Sequence, residues 1–281
     1  MGAMTHLRGS RTIRGVLVAL AVLAAPVSAA MGQQTQTDNS FKWSGHIPAG
    51  RAIRVRNLNG AITVGPATGD NVEVTAVKRW RRGDPLVVRI EPKKYGAGDE
   101  SVVICALWGD DSYCDERSYE SHSNTRRDPR LRNNDVSVEF HVLVPKGVNV
   151  GVNTINGDVT VDGATADVDA STVNGEVDIT TSGGRAHATN VNGGVRARLG
   201  KLESDASMQF TTVNGNVTVE FSGDSGADLD METVNGTLNT NFEMTLVGRL
   251  DPKHLRSHVG RPGGPRIRLQ TVNGNVDIRR R

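Results

Sequence analysis

Val168-Asp169-Ala170-Ser171-Thr172-Val173-Asn174-Gly175-Glu176-Val177-Asp178-Ile179 holds the pattern that decides the fold. Apolar side chains at 168 and 170, and again at 177 and 179, alternate with polar ones on either side of an Asn-Gly pair. Alternation with period two marks a half-buried strand. Asn-Gly tolerates positive φ, which a tight reversal or corner demands. The stretch reads as strand, corner, strand.

The unit recurs. Thr154-Ile155-Asn156-Gly157 precedes it, and Asn190-Val191-Asn192-Gly193, Thr212-Val213-Asn214-Gly215, Thr233-Val234-Asn235-Gly236 and Thr271-Val272-Asn273-Gly274 follow. Asn57-Leu58-Asn59-Gly60 is a looser first copy. Successive glycines lie 97, 18, 18, 22, 21 and 38 residues apart, and the last gap predicts a copy that has lost its motif. Seven and five residues before each Gly stand pairs running from Ile53/Val55 to Ile267/Leu269. Two and four residues after it stand pairs running from Ile62/Val64 to Val276/Ile278.

Two folds could use such a unit. In an array of hairpins or a sandwich, Asn-Gly would be a two-residue type I′ turn. In a solenoid it would be a corner, with like residues of successive coils lying above one another. A hairpin gives no reason for Thr and Val just before the turn. Stacking does, because Asn amides can ladder and β-branched neighbours pile up. The expected fold is all-β, a parallel, β-helix-like β-solenoid of about 18–22 residues per coil, preceded by a β-rich region. Asn59, Gly60, Asn156, Gly157, Asn174, Gly175, Asn192, Gly193, Asn214, Gly215, Asn235, Gly236, Asn273 and Gly274 are its structural corners. The 18-residue spacings surround the small pairs Val168/Ala170 and Ala186/Ala188, and the longer ones accompany Met208/Phe210 and Leu229/Met231. The coil should therefore broaden after residue 200. At ~4.8 Å per coil, the six or seven coils make a rod roughly 30 Å long, no coil of which is stable alone.

Composition agrees with many short strands. The 281 residues include 32 Gly, while aromatics are only 4%. Hydrophobic residues at 37% and charged residues at 23% are ordinary for a folded chain, which argues against wholesale disorder. Lys and Arg total 33 against 31 acids, too balanced for a dedicated nucleic-acid binder.

Arg8, Arg11 and Arg14, the apolar run 16–25 and Pro26-Val27-Ser28-Ala29-Ala30 read as a secretory signal peptide over residues 1–30. The run falls short of the ~20 residues of a membrane span. Cleavage leaves 30 basic residues against 31 acids, and no integral membrane segment is expected afterwards. Residues 31–40 read as a flexible lead-in, 41–145 as a β-rich region or cap with a charged, exposed excursion at 109–134, and 146–281 as the solenoid. Asp251-Pro252 to Gly260 carries an N-cap residue, an early Pro and a closing Gly, the signature of a short helix. Cys105 and Cys114 predict a disulfide in an oxidising compartment. In the chain-entropy picture it would stabilise the fold by about 2.5–3 kcal/mol.

The Φ-x-Φ-x-Thr-Val-Asn-Gly-x-Φ-x-Φ units, their Val144-Pro145-Lys146-Gly147-Val148 lead-in and the signal peptide resemble the putative-adhesin family of bacterial envelope β-strand repeat proteins. That resemblance covers residues 41–281 and implies a secreted or periplasmic β-solenoid, with roles in adhesion or envelope stress. It carries no catalytic residues over.

Polysaccharide-cleaving β-helices set acids side by side on neighbouring coils. In the outward columns three residues after and six before each Gly, no adjacent coils both carry acids, and Asp158, Asp162, Asp169 and Glu176 are the remaining candidates for opposed carboxylates. His254 and His258 would share one face of a helix and could hold Zn²⁺, but a third ligand is not evident. Lys78-Arg79-Trp80-Arg81-Arg82 mixes cations with a ring and could grip a polyanion such as a phosphorylated glycan. No catalytic set, metal site or cofactor is assigned. The expectation is an exported, non-enzymatic protein of the periplasm, cell surface or exterior. Its polar faces would bind an envelope protein, a glycan or a cell-wall component, and no nucleic acid. The alternatives are a glycan-active enzyme on the same scaffold and a self-associating structural module.

Overall fold

Each repeat turns its apolar pairs inward from two strands, and a computed structural model of the chain shows where those strands lie. It describes residues 32–120, 129–203, 206–248, 251–260 and 263–281, so the expected signal peptide lies outside the described residues. The first part of the chain supplies β1 (Gln33–Gln36), β2 (Ser40–His46), β3 (Ala52–Arg56), β4 (Ile62–Pro66) and β5 (Asn71–Arg79). It continues with β6 (Val88–Tyr95), β7 (Ser101–Trp108), β8 (Tyr113–Cys114), β9 (Tyr119–Glu120) and β10 (Ser137–Val144). Four strand pairs follow: β11 (Asn149–Asn153) with β12 (Val159–Ala164), β13 (Val168–Ser171) with β14 (Val177–Thr181), β15 (Ala186–Thr189) with β16 (Val195–Arg198), and β17 (Ser207–Asn214) with β18 (Val217–Phe221). The chain then forms β19 (Ala227–Asn235), β20 (Leu238–Thr240), β21 (Met244–Leu246), β22 (His254–Val259), β23 (Arg266–Asn273) and β24 (Val276–Arg280).

The strands make two eleven-stranded sheets, and each Asn-Gly unit contributes one strand to each. Successive units pair in parallel and in register, Val168 beside Ala186 and Val177 beside Val195. The protein is an all-β, parallel β-solenoid. Every apolar residue of the alternating pairs is buried, except Leu238 and the neighbouring Thr240 on a terminal rung.

Two columns of hydrogen bonds hold the corners together. Asn174 Nδ2 donates to Asn156 Oδ1 at 2.9 Å, and Asn192, Asn214, Asn273 and Asn235 extend the ladder at 2.7–2.9 Å per step. The residue two places earlier forms the second column. Thr172 Oγ1 donates to the Gly157 carbonyl at 2.8 Å, and Thr154, Thr212, Thr271 and Thr233 repeat the contact on their own neighbouring rungs. Asn190 takes the same place through its amide, at 2.8 Å from Gly175 O. These hydroxyls are buried, so each bond satisfies a donor that would otherwise be stranded. The corner glycines are required by positive φ at Gly60, Gly157, Gly175, Gly193 and Gly274, and by crowding at every corner. A Cβ at Gly215 or Gly236, neither of which has positive φ, would run into the glycine carbonyl of the adjoining rung.

Strand length changes along the rod. β13 and β15 have four residues each, whereas β17, β19 and β23 have eight or nine. Phe221 adds a buried ring at the end of β18 and stacks on Phe242, with ring centroids 4.7 Å apart. The extra residues of β17 and β23 are mainly the Thr-Val-Asn corner, and in the other sheet β14 and β18 have five residues each, so strand length does not show the broadening expected past residue 200.

The stack is not in chain order at either end. β3 and β4 form a rung directly on β11 and β12, with Asn59 bridging Asn156 although 97 residues separate them. The region 41–145 therefore continues the rod as well as capping it. β7 and β10 add a parallel strand to each sheet beyond that rung, and antiparallel β6, β5, β2 and β1 finish the end. Part of the expected flexible lead-in is instead strand β1 on the free edge of β2, where Gly32 and Gly45 leave room for the Trp43 ring.

The excursion after β7 is likewise more than an exposed loop. All eight residues of β7 are buried. Val103, Cys105 and Leu107 face outward under Cys114, Tyr95 and Tyr119, and Cys105 is bonded to Cys114. A short β8–β9 hairpin thus makes a second small core on the outside of the sheet; residues 121–128 of the excursion lie outside the described residues.

At the other end the order is β17, β23, β19, β22. The last repeat is inserted between its two predecessors, so the 38-residue gap holds no degenerate copy. It holds β21 and antiparallel β22, after which the chain crosses back into the open place beside β17. The helix expected from 251 to 260 is a turn at Asp251 followed by β22. Free backbone groups on the β19 edge and two cross-strand His–Asp pairs outweigh the local capping signals.

Candidate binding surfaces

Outward residues of a solenoid form columns, and the register fixes their neighbours. On one face Arg54, Gly151, Asp169, His187 and Gln209 follow one another, then Arg268 and Asp230. On the other run Thr63, Thr160, Asp178, Arg196, Thr218, Asp277 and Asn239. Opposite charges meet between rungs. Arg185 holds Asp167 at 2.5 Å, and Arg198 holds Asp178 at 3.0 Å. Partial burial pushes the Asp167 carboxyl up, but the side-chain and backbone hydrogen bonds from Arg185 outweigh it, so it lies below the usual range. Gly151 leaves a notch in the first face, and the Arg54 side chain lies across it.

The four candidate acids do not converge. Asp158 and Glu176 stack at the corner, where Asp158 Oδ1 accepts the Glu176 amide at 2.8 Å. Asp162 sits on β12 and Asp169 on β13, which belong to different sheets. His254 and His258 do share a face, that of a strand, but each is taken by its own carboxylate: His254 Nε2 with Asp230 at 2.8 Å and His258 Nδ1 with Asp228 at 2.7 Å. Among the described residues no three His, Cys, Asp or Glu groups converge on a metal position.

The Val of each motif points outward along the corner. Ile155 and Val173 are half-buried; Val191, Val213, Val272 and Val234 are exposed, rising from 36% to 57% toward the last rung. Sequence reasoning placed these residues in a pile but missed that the pile forms an apolar ridge. The signal was available, since two residues in succession cannot both face the core of a strand.

Two concavities lie near the β-rich end. A cavity of about 720 Å³ between β1 and β6 has Trp43, Ile90, Pro92 and Val102 in its wall. A shallower groove of about 660 Å³ runs past Lys78, Arg79, Trp80 and Arg81 to Asp135 and Ser137. Lys78 to Arg81 of the basic run singled out in the sequence line it. Lys78 does not serve as a surface cation, because it is buried, with Nζ donating to Pro85 O at 3.0 Å; desolvation lowers its pKa. No described helix is long and apolar enough to cross a membrane.

A family model described as Toastrack DUF4097 matches residues 44–279. No curated protein matches the chain. Among solved structures, a protein described as a putative cell adhesion protein from Clostridium sporogenes aligns at TM-score 0.45 and 10% identity, over 85% of this chain and 99% of its own. A protein described as a putative adhesin from Bacteroides fragilis aligns at TM-score 0.27 and 8% identity, over 86% and 98% respectively. Likeness at this level carries no statement about what this chain binds.

Proposed function

This chain belongs to the Toastrack DUF4097 family, and from that premise we propose that it is an exported, non-enzymatic binding or scaffold module of the cell envelope. Its partner is an envelope protein, a glycan or a cell-wall component. The observation that carries the reading is the pair of long faces whose outward columns are solvated polar side chains in strict register. Such a surface offers many weak contacts at a regular spacing, which suits binding to an extended partner. The separation of Asp162 and Asp169 onto different sheets supports the non-enzymatic half of the proposal.

Export is tested by fractionating cells that express the full chain; the protein is expected outside the cytoplasm and shortened by about thirty residues. Binding is tested with arrays of envelope glycans, lipids and purified cell wall. Retention on at least one is expected, while glycan turnover lost on Asp158→Asn or Asp169→Asn would overturn the reading. The exposed Val191, Val213, Val272 and Val234 ridge favours a second reading, side-by-side self-association. Analytical ultracentrifugation separates the two, since a monomer at micromolar concentration excludes the second.

A further inference from the structure

The protein has three Trp. Trp43 and Trp108 are 6% and 5% exposed, whereas Trp80 is 41% exposed beside a groove. A ring left half in water on a rigid wall calls for an occupant, because exposed Trp and Arg dominate binding hot spots.

The wall is rigid for identifiable reasons. Trp80 follows the last residue of β5, and the turn after it is clamped to a segment about fifty residues away. Asp135 Oδ1 accepts the Arg81 amide at 3.0 Å and the Arg82 amide at 2.9 Å. These backbone hydrogen bonds, with the Arg82 charge, hold the Asp135 carboxyl below its usual range. The Asp135 amide returns a bond to Arg82 O at 3.3 Å, and Asn134 Nδ2 reaches Asp84 O at 3.1 Å. Of the cations, Arg79 is paired with Glu139 at 2.7 Å and Lys78 is buried. Arg81 and Arg82 are exposed and form no ion pair within 4.0 Å among the described residues.

We propose that the Trp80 groove is a subsite for an acidic glycan, a chain of sugar rings bearing carboxylate, sulfate or phosphate groups. The inference rests on the binding-module reading and assigns its ligand class. The indole offers a flat apolar face on which the C–H side of a sugar ring stacks. The guanidinium of Arg81 in the groove, and that of its exposed neighbour Arg82 just outside it, present forked donors to the anionic substituents. Asp135 and Ser137 also line the groove, where the second carboxylate oxygen of Asp135 and the Ser137 hydroxyl can meet ring hydroxyls. A flat anionic bilayer would suit a protruding apolar tip, and this ring lies along a shallow groove beside cations instead.

The test uses the full mature chain and three probes: polygalacturonate, neutral dextran, and vesicles of phosphatidylglycerol in phosphatidylcholine. Polygalacturonate binding is expected, with dextran and vesicles at background. Trp80→Ala should weaken it about tenfold with its salt dependence unchanged. The double variant Arg81→Glu, Arg82→Glu should weaken it at least as much and flatten the salt dependence. All three residues are exposed, and circular dichroism with the thermal midpoint confirms folding of each variant. No polygalacturonate binding, undiminished binding by Trp80→Ala, or equal binding to vesicles would overturn the proposal. If wild type and variants bind envelope material equally, the groove assignment fails while the binding-module reading stands. If wild type binds no envelope material, the broader reading falls too.

Discussion

The rungs of β13 to β16 and those of β17 to β24 share the same corner ladders and differ in what fills them. Between the first lie Ala170, Ala186, Ala188 and Ala197; between the second lie Met208, Phe210, Phe221, Met231 and Leu269. The hydrogen-bond columns pass from one region to the other without interruption, Asn214 to Asn192 at 2.9 Å. Vertical order and the filling of the core are thus set by different residues. Corner side chains hold the repeat along the axis, and inward side chains set what fills it, small in the narrow rungs and large in the wide ones.

The largest expected effect comes from emptying a wide rung. Phe210→Ala leaves a cavity that nearby Ala188 cannot fill, and should cost about 3–5 kcal/mol in urea unfolding. A loss below 1 kcal/mol would mean that the wide rungs collapse freely onto the narrow ones. The β8–β9 hairpin lies outside both regions and has no ladder, so removing its bond by Cys105→Ser with Cys114→Ser is expected to cost about 2.5–3 kcal/mol. Overfilling the narrow region with Ala188→Leu should cost about 1–3 kcal/mol, and a stabilised variant would show that these rungs can widen on demand. Thr172→Val and Thr212→Val each strand a glycine carbonyl and should cost about 1 kcal/mol. Equal values in the two regions would confirm that the ladder is indifferent to width.

The smallest effect is a pH response confined to the hairpin. The amide of Ser118, the hydroxyl of Tyr113 and the amide of Arg117 hold the Asp115 carboxyl at about 2, below its usual value. Because the folded value is depressed, the stabilisation is complete above the unfolded carboxylate value of about 4. It is lost as pH falls through about 2. Amide exchange at Arg117 and Ser118 should therefore quicken relative to the rungs in that window, and Asp115→Asn should remove the pH dependence.

Local alternation made the strands, corners and inward residues legible, because each depends on neighbours within about ten positions. What lay beyond reach was the choice of partner. An edge such as that of β17 accepts any strand of suitable pattern, and nothing within residues 237–265 states that β23 will take the place next to it. The signals at 251–260 were real but weaker than the β19 edge and the carboxylates of Asp228 and Asp230. One clue was present and unused: the unbroken apolar run 102–108 reads as a strand covered on both faces, and the excursion supplies the cover. The basic run with its Trp was visible as composition. The Asp135 clamp that makes it a wall was not, because it comes from far along the chain.

The insertion of β23 and β24 has a consequence for assembly. A rod that grew strictly rung upon rung as the polypeptide emerged would place β19 against β17, since that edge is free and the motifs match. The native arrangement requires that seat to stay vacant, or to be given up, until residues 266–280 arrive. This end of the rod is therefore completed by residues 266–280 in the manner of a keystone. A chain interrupted before that segment would close on the wrong neighbour and still look orderly.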